Sequence, residues 1–336
     1  MYLQFIISML IDNHGRPINY LRLAVTDRCN LRCFYCMPEE GIQYLPKPHL
    51  LSYEEMIRLC TILAEMGISK VRITGGEPFV RRDIIPFLWK LSEIEGIQKI
   101  NITTNGVLTA PLVPELKKIG ISSVNLSLDS LDRQRFFEIT RRDEFPKVWA
   151  TLEALLEHDI PVKINTVVMV GKNDEDILSM VELARNQNVS LRFIEEMPFN
   201  GEGHRPEQME FWNYKRIMDL IRSAHPELYK LQDEPNSTSY NYHIPNFKGT
   251  VGVIAAFSRT FCGTCNRIRV TPTGSFRTCL YDDGVFNVRD FMRQKLSNEE
   301  IKTLIYNALQ NRAKDGFEAE NRRTSVVSES MTTIGG

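Results

Sequence analysis

The chain alternates short runs of aliphatic and β-branched residues with amphipathic stretches of helical period, and this alternation limits its fold more than any other feature. The candidate strands cover residues 21–25, 70–74, 98–103, 122–128, 161–169 and 189–195. The candidate helices cover residues 53–65, 83–95, 111–119, 147–158 and 174–187, and Ser52 and Glu55 have the spacing of a capping box at the first of them. Such alternation implies right-handed crossovers and a parallel sheet. We therefore predict an α/β fold, most simply an incomplete TIM-type barrel of six βα units.

The pattern changes after about residue 205. A candidate helix at residues 211–224 is followed by a stretch rich in Pro, Asn, Ser and Tyr at 235–246 and by an apolar run at 249–256. A chain of 336 residues is also long for one domain. We expect a core at residues 12–225 and a smaller α+β module at residues 226–336 that closes the open side of the barrel. Residues 1–11 form an N-terminal extension, which is either a translation-start artefact or an extra strand.

The charge balance and the apolar start of the chain bear on partners and location. Lys plus Arg number 41 against 42 Asp plus Glu, and this net charge of −1 argues against a generally basic surface for nucleic acid. The apolar residues 1–11 are fewer than the roughly 20 that span a bilayer, and they lack the features of a secretory signal. We expect a cytoplasmic protein that binds neither nucleic acid nor membranes and whose cysteines stay reduced.

Six of the seven cysteines fall into two triplets. The triplets are Cys29, Cys33 and Cys36 (C-x3-C-x2-C) and Cys262, Cys265 and Cys279 (C-x2-C-x13-C). Structural zinc prefers four protein ligands, and neither triplet has a convincing fourth. Three thiolates fit an iron–sulfur cube, which leaves one iron free to bind a small molecule. Taken alone, the second triplet also fits a zinc knuckle with one ligand from elsewhere, and Cys60 fits a small core residue.

Basic residues interrupt several of the apolar runs. They are Arg22, Lys70, Arg72, Lys163, Arg192, Arg267 and Arg269. Because side chains alternate across a strand, Lys70 should share a face with Arg72, and Arg267 with Arg269. If that face points into the barrel, it requires a polyanion such as a triphosphate or internal carboxylates. The candidate carboxylates are Glu77, Asp129, Glu195 and Glu196, and exposure to solvent is the other alternative.

Two motifs carry a resemblance to a known family. Residues 29–36 (CNLRCFYC) resemble the radical S-adenosylmethionine (SAM) signature C-x3-C-x-aromatic-C, and residues 75–78 (GGEP) resemble the methionine-binding loop of that superfamily. Wider stretches are similar to the MoaA family, the GTP 3′,8-cyclases of molybdenum cofactor biosynthesis. These stretches are residues 12–27, 71–83, 191–197 and 261–269 and the final Ile-Gly-Gly. The resemblance covers essentially the whole chain after the first eight or so residues, and it implies a radical SAM type of barrel.

The resemblance implies cofactors and site residues. It places one [4Fe–4S] cluster on each triplet, with SAM on the open iron of the first and the guanine of GTP on the open iron of the second. It assigns SAM to Tyr35, Gly76, Ser127 and Met197, positions that otherwise fit packing, a turn, strand polarity and core filling. It assigns GTP to Arg22, Lys70, Arg72, Thr103, Lys163, Arg192, Arg267, Ile268 and Arg269. The catalytic positions that it implies are Arg267, Arg269, Gly335 and Gly336.

The implied reaction is radical chemistry in which the cofactors perform the difficult step. A 5′-deoxyadenosyl radical takes the C3′ hydrogen of GTP, C3′ adds to guanine C8, and reduction gives 3′,8-cyclo-7,8-dihydro-GTP. The resemblance does not identify the electron donor; it implies a homodimer and makes cyclic pyranopterin monophosphate synthase the next enzyme. Two alternatives stay open at this point: a peptide-modifying radical SAM enzyme with an auxiliary cluster, and a zinc-dependent binding module.

Overall fold

The computed structural model describes residues 9–197, 199, 211–324 and 329–335. The strands in these ranges are β1 (Tyr20–Ala24), β2 (Lys70–Thr74), β3 (Lys99–Thr104), β4 (Ser123–Ser127), β5 (Val162–Val168), β6 (Ser190–Glu195), β7 (Tyr229–Lys230), β8 (Ser239–His243), β9 (Thr250–Ile254), β10 (Arg267–Val270), β11 (Ser275–Arg277) and β12 (Phe286–Asn287). The helices are α1 (Tyr53–Glu65), α2 (Ile84–Ser92), α3 (Val113–Ile119), α4 (Arg133–Thr140), α5 (Phe145–Glu157), α6 (Ile177–Asn186), α7 (Tyr214–Ala224), α8 (Val288–Arg293), α9 (Asn298–Leu309), α10 (Gly316–Asn321) and α11 (Met331–Ile334).

All the strands belong to one sheet, in the order β12-β11-β10-β1-β2-β3-β4-β5-β6-β9-β8-β7. The strands from β10 to β9 in this order are parallel, whereas β11, β12, β8 and β7 extend the two ends in antiparallel pairing. The predicted α/β class with a parallel sheet is therefore confirmed. The sheet differs from the prediction in one respect, because β10 and β9 add to β1 and β6 and lengthen its parallel part beyond six strands. No ladder joins β7 to β12 within the described ranges.

The two faces of the sheet differ sharply in polarity because the side chains of each strand alternate. Leu21 and Leu23 of β1 lie in the apolar core with helix residues such as Leu59 and Leu88. The opposite surface, which we call the basic face, carries the basic residues that interrupt the apolar runs. They are Arg22, Lys70, Arg72, Lys163, Arg192, Arg267 and Arg269. The helices thus cover one face of the sheet, and the other is left for polar contacts.

Local signals explain where the first helix begins. The Oγ of Ser52 accepts a hydrogen bond from the backbone N–H of Glu55 (3.1 Å), and the Glu55 carboxylate accepts one from the N–H of Ser52 (2.7 Å). This is the capping box that the sequence predicts, and it satisfies two donors at the start of α1. None of the described helices combines the length and the apolar character needed to cross a bilayer.

Removal of the capping hydroxyl should weaken α1. Substitution Ser52→Ala leaves the Glu55 N–H without its partner, and we expect it to lower the free energy of unfolding by about 1 kcal/mol. The control is Ser223→Ala, which removes an exposed hydroxyl bound to the Leu220 carbonyl in α7 and should change stability by less than about 0.5 kcal/mol. Urea unfolding of the cluster-free chain measures both values. Equal losses in the two variants would contradict the capping role.

Candidate functional site

The first cysteine triplet lies in the loop after β1, where the loops after β3 and β4 pack against it. Asn105, after β3, places its Nδ2 at 3.6 Å from the Sγ of Cys29. The hydroxyl of Tyr35, between Cys33 and Cys36, donates to Asp129 after β4 (2.9 Å). The carboxyl ends of these parallel strands therefore converge on the triplet, as expected for the chemistry-bearing edge of such a sheet.

The three cysteines of this triplet are half-buried and lie close to one another. Burial raises the pKa of Cys29 to about 11 and that of Cys36 to about 12. The pKa of Cys33 is also raised, first by burial and then by the negative charges of Asp129 and of the other two cysteines. A coordinated metal converts such a thiol into a thiolate, because the cation offsets the charge that burial disfavours. The donor set therefore fits a cationic iron–sulfur group.

The loop after β2 approaches the first triplet through its glycines. A Cβ at Gly75 or Gly76 would overlap the carbonyl oxygen of Thr26 or of Arg28, and Gly75 has a φ of +147°. Glu77 is fully buried, and it accepts hydrogen bonds from the N–H of Phe79 and Asn105 and from the hydroxyl of Thr104. Burial raises the pKa of Glu77 to about 7. Glu77 thus fastens this loop to the next one rather than pairing with the basic residues.

The other residues that the resemblance assigns to SAM lie near the same edge. Ser127 ends β4 and is in register with Asn165 of β5. Met197 follows β6 and packs against a small cluster that contains Phe199 and Tyr281. Gly76, Tyr35 and Ser127 thus share the carboxyl edge of the sheet with Met197.

The second triplet lies at the amino end of β10, and loop contacts organise it. The Asp282 carboxylate accepts hydrogen bonds from the backbone N–H groups of Thr278 and Cys279, each at 2.8 Å. Burial raises the pKa of Cys279 to about 11, and the nearby Cys265 and Cys262 add to this rise. Cys265 differs from the other two. Burial raises its pKa, but the charges of Arg267 and Arg312 outweigh burial and lower it to about 6.

In neither triplet do the three thiols converge as the ligands of a single metal ion would. In the described part of the chain, no group of three or more His, Cys, Asp or Glu side chains could hold a single metal ion. In a four-iron cluster each thiolate binds a different iron atom, so its thiolates need not converge.

Arg312, which follows α9, was missed by the sequence analysis. Its guanidinium is 2% exposed and lies 3.2 Å from the Sγ of Cys265. It also donates to the carboxylate of Asp12 (3.1 Å), which binds Arg16 as well (2.7 Å). Asp12 and Arg16 fall in one of the stretches that carry the family resemblance, and this is the signal that could have indicated their importance.

The basic face lies between the two triplets. Arg22 is in register with Arg72 on one side and with Arg269 on the other. The first triplet follows the carboxyl end of β1, whereas Cys265 precedes the amino end of the parallel strand β10. A ligand on this face therefore lies between the two cysteine groups.

Several polar atoms of this face are buried without a hydrogen-bond partner among the described residues. They are Nε of Arg22, Nε of Arg192, Nε and Nη2 of Arg267, Oδ1 of Asn125 and Oδ1 of Asn165. Burying a donor without a partner is costly, so this set indicates a missing polar ligand. Three of the carboxylates that could neutralise the face bind other groups, since Glu77, Asp129 and Glu195 accept from backbone or hydroxyl donors.

The basic residues also perturb one another. Burial and then the charge of Arg72 lower the pKa of Arg192 to about 10, and burial followed by Arg267 lowers that of Arg269 to about 10. Burial, Arg192 and further basic neighbours lower the pKa of Lys163 to about 8. Burial and Arg269 likewise lower the pKa of Arg22. Binding of an anion would relieve this repulsion.

Tyr20 also lies on the basic face, although the sequence analysis gave it no role. The Nε of Arg72 donates to its hydroxyl at 2.6 Å, and the Nζ of Lys70 lies 4.5 Å from the centre of its ring. Burial raises the pKa of Tyr20, but the charges of Arg72 and Arg22 outweigh burial and lower it to about 7. A tyrosine two positions before Arg22 on the same strand is the signal that could have found it.

Two other predicted substrate residues, Thr103 and Ile268, lie on opposite faces of the sheet. Thr103 lies on the basic face, where its hydroxyl accepts from Nη1 of Arg72 at 3.4 Å. Ile268 has a fully buried side chain in register with Leu21, so it points into the apolar core. Only the backbone of Ile268 is left to contact a ligand on the basic face.

The end of the chain reaches both parts of the site. The Ser330 hydroxyl donates to the carbonyl of Cys36 (2.6 Å), and Arg269 donates to the carbonyl of Gly335 (2.8 Å). Gly335 has a φ of +78°, and a Cβ there would lie 2.7 Å from the Cβ of Ala24. Gly336 lies outside the described residues. The tail thus runs from the first triplet to the basic face.

Family models match two segments of the chain. The model described as "Radical SAM superfamily" matches residues 23–184, and the model described as "Molybdenum Cofactor Synthesis C" matches residues 189–317. Two solved structures show a similar fold. Streptococcus suis SuiB bound to S-adenosylmethionine has a TM-score of 0.57 and 15% identity over 85% of this chain and 68% of its own. Native anSMEcpe with bound AdoMet has a TM-score of 0.56 and 17% identity over 84% and 82%.

Curated relatives are closer in sequence. Molybdenum cofactor biosynthesis protein 1 of Bos taurus is 42% identical over 89% of this chain, which spans about half of that relative (47%). The mitochondrial GTP 3′,8-cyclase of Arabidopsis thaliana is 39% identical over 89% of this chain and 76% of its own length. The GTP 3′,8-cyclase of Syntrophomonas wolfei is 42% identical over 94% of this chain and 98% of its own length. The chain therefore belongs to the GTP 3′,8-cyclase (MoaA) family within the radical SAM superfamily.

Proposed function

We propose that this chain is a radical SAM GTP 3′,8-cyclase, which converts GTP into (8S)-3′,8-cyclo-7,8-dihydroguanosine 5′-triphosphate in the first step of molybdenum cofactor biosynthesis. The observation that carries the proposal is the basic face between two cysteine triplets, with buried donors on Arg22, Arg192 and Arg267 that have no partner in the described structure. A triphosphate supplies the acceptors and the negative charge that this face needs. A peptide without several acidic side chains would not supply that charge.

Membership in the radical SAM superfamily implies SAM and a [4Fe–4S] cluster. We assign this cluster to Cys29, Cys33 and Cys36, and a second [4Fe–4S] cluster to the other triplet. The first cluster and SAM supply the reductive cleavage of SAM and a hydrogen-abstracting radical. The chain's own residues bind and orient. Gly76, where a Cβ would overlap the Arg28 carbonyl, lets the loop after β2 pack beside the first triplet, and we assign the methionine part of SAM to its backbone. Tyr35, Ser127 and Met197 complete that side of the pocket.

The basic face then binds and positions GTP. Arg22, Arg72, Lys163, Arg192 and Arg269 bind the triphosphate, with Lys70, Thr103 and the Ile268 backbone at its margin. Arg267 lies two residues after Cys265, so its free donors can reach a ligand close to the second triplet. Holding C3′ close both to the abstracting radical and to C8 is a positioning task, which makes the reaction sensitive to small displacements.

The tail glycines are proposed to act with Arg267 and Arg269. The carbonyl of Gly335 already accepts from Arg269, so the tail restrains the guanidinium that faces the substrate. The homodimer, the following synthase, the cytoplasmic location and the boundary between residues 225 and 226 stay predictions.

A nucleotide screen tests the proposal directly. The reconstituted protein is incubated anaerobically with SAM, a strong reductant and GTP, ATP or a peptide, and mass spectrometry follows 5′-deoxyadenosine and nucleotide products. We expect 5′-deoxyadenosine and a cyclised nucleotide to form together only when GTP is the added substrate. Formation of 5′-deoxyadenosine with an altered peptide and unaltered GTP would overturn the substrate assignment.

The affinity for GTP should fall as pH rises from 7 to 9. Lys163, whose pKa in the free protein is about 8, loses its charge in this range. Tyr20, whose pKa is about 7, gains a negative charge. An anion favours the protonated form of both groups, so each can weaken binding by up to about tenfold per pH unit above its pKa. Equilibrium dialysis at each pH measures the affinity. Tyr20→Phe and Lys163→Arg should each make the affinity for GTP depend less on pH. A flat curve for the unmodified protein would contradict this reading.

Substitution Arg267→Ala should impair cyclisation more than SAM binding. We expect kcat/KM for GTP to fall by about 10²-fold because the substrate loses a positioning contact, while the SAM affinity changes little. The control is Arg185→Ala, which removes an exposed arginine paired with Glu182 on α6 and should leave both values unchanged. Equal losses of SAM binding and cyclisation in Arg267→Ala would contradict the assignment.

Deletion of Gly335 and Gly336 should abolish the cyclised product while GTP still binds. Substitution Gly335→Ala should act in the same direction, because its positive φ and the close Ala24 side chain both disfavour a Cβ. Thr333→Ala, in α11 just before Gly335, is the control, since its hydroxyl donates to the Ser330 carbonyl and not to the basic face. Full cyclase activity after the deletion would refute a role for the tail.

A further inference from the structure

A buried ionic network outside the proposed substrate contacts joins the first described residues to the second cysteine triplet. The Asp12 side chain is fully buried and accepts from the Nε of Arg16 (2.7 Å) and from the Nη1 of Arg312 (3.1 Å). Without this carboxylate, two buried guanidinium groups would be left uncompensated, which is costly. The network therefore holds Arg16 and Arg312 in fixed positions. The function proposed above gives neither arginine a role.

Arg312 is held in a single orientation because all of its donors are used. An arginine side chain carries five N–H groups. The acceptors are the carbonyls of Thr278, Cys265 and Arg267, the carboxylate of Asp12 and the sulfur of Cys265. Arg267 also lies close to Cys265 and lowers its pKa more than Arg312 does, but Nε and Nη2 of Arg267 lack partners in the described structure. Arg267 thus has N–H groups available for a substrate, whereas all the N–H groups of Arg312 are bound to the protein.

The contact with sulfur distinguishes Arg312 from Arg16. Arg16 donates to the carbonyls of Cys262 (3.1 Å), Lys314 (2.6 Å) and Ala313 (2.9 Å), and none of its recorded bonds reaches a sulfur. The Nη2 of Arg312 lies 3.2 Å from the Sγ of Cys265. The two arginines share Asp12 and a similar degree of burial. Their carbonyl partners differ, and of the two only Arg312 contacts a cysteine sulfur.

We propose that Arg312 is a positioning residue that sets the reduction potential of the second cluster through its hydrogen bond to the Cys265 sulfur. This inference rests on the proposed second [4Fe–4S] cluster. Hydrogen bonds to cluster sulfurs and nearby positive charge are among the factors that set such potentials. The reduced cluster carries one more negative charge than the oxidised one, so a donor to its ligand sulfur stabilises the reduced form. Arg312 therefore raises the potential and makes the second cluster easier to reduce.

The test compares Arg312→Lys with Arg16→Lys in the reconstituted full-length protein. Both variants keep the positive charge, but only the first removes the sulfur contact. An anaerobic redox titration followed by electron paramagnetic resonance gives the midpoint potential of each cluster, and the signal that changes on addition of GTP is assigned to the second. We expect a more negative second-cluster potential in Arg312→Lys, a larger shift in Arg312→Gln, and the unmodified value in Arg16→Lys. The first-cluster potential, an internal reference, should stay constant in all three.

The possible contrary results are distinguishable. An unchanged potential in Arg312→Lys and Arg312→Gln, or an equal shift in Arg16→Lys, would overturn the role of the sulfur contact. Loss of the second cluster in both Arg312 variants, with Arg16→Lys intact, would overturn the tuning role and leave Arg312 as structural support. Iron analysis of the unmodified protein tests the proposed second cluster itself. An iron content that matches a single cluster would refute the second cluster and, with it, this inference.

Discussion

The structure depends on one electrostatic constraint: several cations lie together on one partly buried face of a parallel sheet. Arg22, Arg72 and Arg269 are neighbours in register, and burial together with mutual repulsion lowers the pKa of Arg22 and Arg269. Such a face is tolerated in the free protein only at an energetic cost, which an anion with several oxygens removes. The phenol of Tyr20, which accepts a hydrogen bond from Arg72, offsets part of the charge.

The two faces of the sheet have different tasks: one packs against the helices and the other carries the cations. The helices cover the apolar face, where Leu21 and Ile268 pack in register, so the strands are rigid supports for the cations on the other side. The parallel direction of β1 and β10 then places the two cysteine triplets beyond opposite ends of the cationic surface. A ligand on the basic face would thus lie between the two cysteine triplets, where both groups of residues can position it.

The sequence predicts the parts of this arrangement that depend on local patterns. The strands β1 to β6 lie within one residue of their predicted ends, because apolar alternation bounded by glycines and polar turns determines them locally. Helix α4 was not predicted, since RQRFFEIT is mostly polar and buries only Phe136, Ile139 and Thr140. The network around Arg312 was not predictable either. Its partners Asp12 and Cys265 lie 300 and 47 positions away, and only the folded chain brings them together.

We propose that the phosphates of the nucleotide neutralise the basic face. The most direct test is the affinity of the reconstituted protein for GTP, GDP, GMP and guanosine, measured by isothermal titration calorimetry at constant pH and salt. We expect the affinity to fall with each phosphate removed, because each removal leaves more of the guanidinium donors of Arg22, Arg192 and Arg267 without acceptors. Guanosine that binds as tightly as GTP would contradict it.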